Sequence, residues 1–258
     1  MALSRRLKKR LRVVVLPVAG VLLAGGATAG IISVVKPSTP PPASDQVMKY
    51  YEANKDLVTA TDDPSEAAKP VAIFLGDSYT QGYGASNVNT RWVTLVSKAK
   101  GFKMVNLGRG GSGYVTVAGI EGCGLARCPS YPEMVPLAID AEPQPTTVVV
   151  AGGQNDFIEF ARDPEGVTAA IKKTYADLRK GLPKARIVAV GPSTPWDVSS
   201  SVVAMDKAVQ EAAASVKASY VSLISPNVVK PDMITKDGAH VTDAGHKAIA
   251  ERVIAALR

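Results

Sequence analysis

The sequence predicts a three-layer α/β/α domain whose sheet is mostly parallel, with about five strands. Two patterns lead to that class. Short apolar runs rich in β-branched residues recur along the chain, and stretches with helical apolar spacing separate them. Strands alternating with helices of this length require right-handed crossovers, which place helices on both faces of a parallel sheet. The composition agrees: 258 residues, 46% hydrophobic and 21% charged, can bury one substantial core.

The N-terminal part stands outside this pattern. Residues 1–35 join a basic cluster (Arg5, Arg6, Lys8, Lys9, Arg10, Arg12) to 23 uncharged residues, Val13 to Val35. A helix of that length crosses the roughly 30 Å hydrocarbon core of a bilayer, leaving its basic flank in the cytoplasm. The same stretch also reads as a cleavable signal peptide, because Ala27, Thr28 and Ala29 fit a small-residue cleavage site. Both readings place the rest of the chain outside the cytoplasm, either secreted or anchored to the cell membrane by one N-terminal helix. No cysteine lies near the segment, so attachment through a lipidated N-terminal cysteine is excluded. Residues 36–68 read as a proline-containing tether, with a candidate short helix over Ser44 to Val58. The folded domain is expected over 69–258.

Charge follows the same division. With Lys36, the first 36 residues hold seven basic side chains and no acidic ones, leaving 23 basic against 23 acidic in the remainder. A formally neutral body has no broad electrostatic footprint for a phosphate backbone, so nucleic acid is not an expected partner.

Within the domain the strands are expected at Val71 to Leu75, Lys103 to Leu107, Thr146 to Ala151, Ala185 to Val190 and Tyr220 to Ile224. The second is the most polar of the five. Helices are expected at Arg91 to Lys100, from Pro164 to just before Gly181, at Ser201 to Ala218, and after Thr242. Ala248, Ile249, Val253, Ile254 and Leu257 give the last its apolar stripe, with Thr242 or Asp243 as its N-cap.

Ser112 to Pro145 breaks the rhythm, being long and rich in glycine and proline. It is either a surface excursion or a loop that shapes a substrate site. It carries Cys123 and Cys128, the only cysteines, which are expected to pair; two free thiols are the alternative. Zinc would need two further ligands, and no nearby cysteine pair or histidine cluster offers them, so no metal is expected.

The sharpest local feature is "IFLGDSYTQGYG". Ser78 follows the first strand, outside the carboxyl end, where parallel-sheet proteins place their chemistry. Taken alone, the serine could equally cap the following helix. The spacing of a phosphate-binding P-loop is absent. Both histidines of the chain, His240 and His246, lie in "DGAHVTDAGHKAI".

Four segments together resemble the SGNH (GDSL-like) hydrolase family. "GDSYT" around Ser78 is similar to its first block, "NLGRGGSG" to its glycine block, "GGQND" to its Gly-x-Asn-Asp block, and "DGAH" to its terminal Asp-x-x-His block. They stand in family order at expected strand ends. The resemblance implies a flavodoxin-like α/β/α fold and a nucleophilic serine at Ser78, with His240 as its base and Asp237 orienting the imidazole. It also implies an oxyanion hole made by the backbone N–H of Ser78, a glycine N–H and the Asn155 amide. Gly111 is the best match for that glycine, with Gly110 and Gly113 as alternatives because the glycines crowd together.

Other side chains are read on their own. Arg109 either meets an anionic substrate group or is a solvated surface residue. Trp196 either lines the substrate pocket or packs in the core. Asp156 is expected to be structural. His246 falls in the opening turns of the last helix and is expected to be structural or solvent-facing.

The expected activity is hydrolysis of carboxylic esters through an acyl-serine, with no metal or organic cofactor. Small acyl groups on cell-envelope carbohydrate suit an exported, tethered domain; lipid esters are the other substrate class. Transfer of the acyl group to a carbohydrate or lipid hydroxyl uses the same nucleophile. A noncatalytic envelope-binding domain would leave the four blocks without a role.

Overall fold

The computed structural model describes residues 68–257. Five strands, β1 (Val71–Gly76), β2 (Lys103–Gly108), β3 (Thr147–Ala151), β4 (Arg186–Val190) and β5 (Ser219–Val221), form one sheet in the order β2-β1-β3-β4-β5. All four pairings are parallel. The helices in chain order are α1 (Ser78–Gln81), α2 (Trp92–Lys100), α3 (Ile120–Cys123), α4 (Tyr131–Ile139), α5 (Phe157–Arg162), α6 (Pro164–Gly181), α7 (Ser200–Ser215) and α8 (Asp243–Ala256). The expected α/β/α architecture is the observed one.

The apolar runs lack polar alternation because both sheet faces are covered. In β1, Val71, Ile73 and Leu75 join one core cluster with Met134 of α4, Ile171 and Tyr175 of α6, and Met205 of α7. Ala72 and Phe74 point the other way, into a second cluster with Trp92, Val93 and Val96 of α2 and Ile249 and Val253 of α8. Trp92 meets Phe74 edge-on with ring centroids 5.4 Å apart. Caps fix where these helices begin. Asp163 accepts the Gly166 N–H at the start of α6, Pro164 occupies its first turn, and Ser199 accepts the Val202 N–H at the start of α7. β1 lies between β2 and β3, so the chain crosses over it and a crevice opens at the carboxyl ends of these three strands.

Three expectations need correction. The Ser112 to Pro145 segment contains a helix, α4, despite Pro132 and Pro136. Its start is fixed by a capping box: the Glu133 carboxylate accepts the Ser130 N–H while the Ser130 side chain serves the third helical N–H. The last strand is Ser219–Val221 and stops short of Ile224, because Ser222 turns the chain out of the sheet. Its hydroxyl donates to Asp206 Oδ2 (2.9 Å) and accepts the N–H groups of Ile224 and Ser225.

The third correction concerns the membrane. Among the described residues no helix is long and apolar enough to cross one, against the expected anchoring helix and the membrane as a partner. Length and hydropathy are necessary for a span, but a continuous helix that satisfies its own backbone is also required. The apolar run Val13 to Val35, the tether 36–68 and the short helix proposed within it lie outside the described residues. The expected localisation, anchored to the cell membrane by one N-terminal helix, is corrected with it.

Candidate active site

One cavity of about 560 Å³ opens over the carboxyl ends of β1, β2 and β3. It is lined by Ser78, Gly111, Asn155, His240 and Trp196, which the sequence singled out, and by Tyr83, which it did not.

Ser78 starts α1, two residues after the last residue of β1, Gly76. Asp77 caps that turn, its Oδ1 accepting the Tyr79 N–H at 2.9 Å. Ser78 is therefore not the cap, and its side chain faces the cavity with 8% exposure. Its backbone N–H is an unpaired first-turn donor with no acceptor among the described residues.

The glycine turn after β2 supplies a second donor. Gly110 N–H is committed to Gln81 Oε1 (2.7 Å), and Gly113 N–H to Thr116 O (2.9 Å). Gly111 N–H has no acceptor among the described residues, and Gly111 lines the cavity. Of the three glycines that the sequence left open, Gly111 is the one whose N–H has no acceptor among the described residues.

Asn155 follows β3 in a single 3-10 turn, Gln154–Asp156. One hydrogen of its amide donates to Ser112 O (2.9 Å), which fixes the plane of the group and leaves its second hydrogen available. Asp156 is fully buried and accepts the N–H groups of Tyr114, Val115 and Thr116, tying the β2 and β3 loops together. That is the structural role expected of it.

Asp237 and His240 arrive from a turn before α8. His240 Nδ1 lies 2.7 Å from Asp237 Oδ2. The other oxygen, Oδ1, accepts the Thr235 hydroxyl (2.6 Å) and the N–H groups of Ala239 (2.8 Å) and His240 (3.0 Å). These bonds, led by Thr235, hold the Asp237 carboxyl well below the usual carboxylate range, so it carries its charge at neutral pH. With Nδ1 occupied, the imidazole presents Nε2 as its remaining base. Asp237 itself does not line the cavity; it holds the histidine from behind.

The remaining residues separate. Trp196 is 63% exposed at the cavity edge, so core packing is excluded. Arg109 is 8% exposed, lies outside the cavity lining and donates to Gly108 O, so it is neither a solvated surface residue nor a wall of this site. His246 is fully buried, with Nε2–H donating to Tyr83 O (2.9 Å). Cys123 and Cys128 are disulfide-bonded. Their loop, with Val117, Ala118, Gly119 and Gly122, forms one cavity wall, so the long segment shapes the site.

The profile of the GDSL-like Lipase/Acylhydrolase family matches residues 74–248. The chain belongs to this family. It is a serine hydrolase of the SGNH/GDSL type, and the matched span carries all four blocks. A GDSL lipase of Mycobacterium tuberculosis, Rv0518, is 26% identical over 195 residues, covering 71% of this chain and 79% of that protein. Among solved structures, TesA superposes with a TM-score of 0.58 at 19% identity, covering 73% of this chain and 98% of its own. A family two carbohydrate esterase from Cellvibrio japonicus gives 0.59 at 19% identity, covering 73% and 60%. At such identities the superpositions establish the family's fold in this chain.

Proposed function

We propose that this hydrolase cleaves carboxylic esters through an acyl-serine at Ser78, and that small acyl groups on carbohydrate alcohols are its substrate class. One observation carries the reading: a single cavity gathers Ser78, His240 and two uncommitted backbone donors, with an ionised carboxylate behind the imidazole. Ser78 Oγ attacks the ester carbon as its proton passes to His240 Nε2. The carbonyl oxygen becomes an oxyanion held by the Ser78 and Gly111 N–H groups and the Asn155 amide. Collapse breaks the bond to the alcohol, which leaves with the proton from His240. Water, deprotonated by the same histidine, then attacks the acyl carbon and releases the acid and Ser78. Asp237 orients the ring and offsets its charge in both halves.

Hydrolysis is favoured over acyl transfer by the breadth of the cavity, which gives water the same access as an acceptor alcohol. The carbohydrate reading is supported by the exposed rings of Tyr83 and Trp196 at the mouth, since aromatic faces suit the apolar faces of sugars. Relatives of the same fold include a two-domain esterase active on acetylated mannans. The lipase reading draws on the Mycobacterium tuberculosis relative.

A panel of acetylated sugars and of short- and long-chain acyl esters separates these readings by kcat/KM. Ser78→Ala is expected to lower turnover by roughly 10³-fold or more with the fold intact. A fluorophosphonate is expected to label Ser78 in the parent and nothing in the variant. Unchanged turnover in Ser78→Ala would overturn the mechanism, and preference for long chains over sugar acetates would overturn the substrate class.

A further inference from the structure

Tyr83 is held from several sides. Its N–H donates to Ser78 O (2.9 Å), and its carbonyl accepts Nε2–H of His246 (2.9 Å). His246 sits buried in the first turns of α8, and its Nδ1 accepts the Trp92 N–H (3.4 Å). Burial lowers the pKa of His246, which keeps the neutral Nε2–H tautomer that both bonds require. Gly82 and Gly84 flank Tyr83 at φ of 105° and 82°, in the left-handed region. A Cβ on Gly84 would collide with Val241 O, so this turn packs backbone to backbone against the residue after His240. The outcome is a stacked pair: the Tyr83 and His240 rings have centroids 5.1 Å apart and planes 27° from parallel.

The other groups facing His240 act differently. Asp237 bonds Nδ1 in the ring plane. Tyr79 stands 6.1 Å away and tilted by 52°, and its hydroxyl donates to Ala239 O (2.7 Å), which steadies the backbone. His246 interacts with His240 only through space. Among the described residues, Tyr83 alone stacks an aromatic face over the imidazole.

We propose that Tyr83 is a positioning residue for the base, its ring face favouring the imidazolium over the neutral imidazole during proton transfer. This rests on the reading of His240 as the base. When Ser78 Oγ gives its proton to Nε2, the imidazole ring gains one positive charge. An aromatic face within about 6 Å attracts that charge and offers the neutral ring much less. An interaction that grows towards the transition state raises kcat rather than tightening substrate binding. The attraction belongs to the ring face, which phenylalanine keeps.

The test is a titration of the two imidazoles by NMR on histidine-labelled protein, since the chain has only two histidines. Tyr83→Ala is expected to lower the His240 midpoint by roughly half a pH unit, to move the acid limb of kcat/KM down with it, and to cut kcat roughly threefold. Tyr83→Phe, which keeps the ring face, should hold the His240 midpoint at the parental value. Tyr83 is exposed enough for both variants to fold, which an unchanged thermal midpoint checks. A His240 midpoint unmoved in Tyr83→Ala, or lowered as far in Tyr83→Phe as in Tyr83→Ala, would overturn the inference. Full turnover in His240→Ala would sink the base assignment instead, and would leave the ring effect standing, because the midpoint is measured without substrate.

Discussion

Asp77 shows how much a single side chain near the nucleophile can be asked to do. It is fully buried, caps the turn that presents Ser78, and receives the Tyr131 hydroxyl on its second oxygen (3.3 Å). Desolvation dominates over these bonds and pushes its pKa from the ordinary 3.8 up to about 7. The sign follows from proton counting. Between about 4 and about 7 the folded chain keeps a proton on Asp77 that the unfolded chain has lost, so stability falls as pH rises through this window. Above about 7 the penalty is complete. Asp77→Asn keeps an acceptor for the Tyr79 N–H and carries no charge in either state. Subtracting its unfolding free energy from that of the parent, pH by pH, should give a difference that moves against the parent from pH 4 to 7. A flat difference would show that Asp77 ionises in the fold as it does in the open chain. None of this was legible in "GDS": the sequence located Ser78 by its place after a strand, while burial of its neighbour is a tertiary fact. Arg109 was misread for the same reason, since a basic residue in a glycine turn gives no sign that the loop will cover it.

Among the secondary elements, the helix α4 was hidden by its own prolines, although its capping box was present in the sequence as Ser130 and Glu133. Pro132 falls in the first turn, where its missing N–H costs nothing, and Pro136 follows within the helix. The long strands and amphipathic helices were legible because burial on both sheet faces imposes a continuous apolar pattern. β5 was overextended because Leu223 and Ile224 are buried outside the sheet, and hydrophobicity alone does not distinguish the two. The loop before α4 is closed by the Cys123 and Cys128 disulfide across a sequence separation of 5. A ring this short removes little entropy from the unfolded chain, about 2 kcal/mol. The double substitution Cys123→Ser and Cys128→Ser should therefore lower unfolding free energy by about 2 kcal/mol in denaturant titration while leaving the fold intact. Because Gly119 and Gly122 of the same loop line the cavity, KM should rise more than kcat falls. Unchanged stability and KM together would show that the loop holds its shape without the bond.

For the whole molecule, the strand order explains why four short motifs, scattered over more than 160 positions, form one site. Crossing over β1 between β2 and β3 places the three loops that carry Ser78, Gly111 and Asn155 side by side, and α8, packed on α2, brings the His240 turn to the same edge. The motifs were readable one by one; the convergence follows only from the sheet order, which sequence pattern leaves open. The described residues carry both core clusters and the cavity, and the first strand, β1, begins at Val71, paired to Lys103. The domain boundary expected at Lys69 then has a direct consequence. A fragment of Lys69 to Arg258 should unfold in one cooperative transition and hydrolyse a test ester with the kcat/KM of the full chain, because no side chain invoked in the chemistry lies before Ser78. Coincident unfolding curves by fluorescence and circular dichroism check the first part, and steady-state kinetics the second. A fragment that folds but turns over slowly would mean that the first 68 residues contribute to the site; one that unfolds without cooperativity would move the boundary of the core towards the N-terminus.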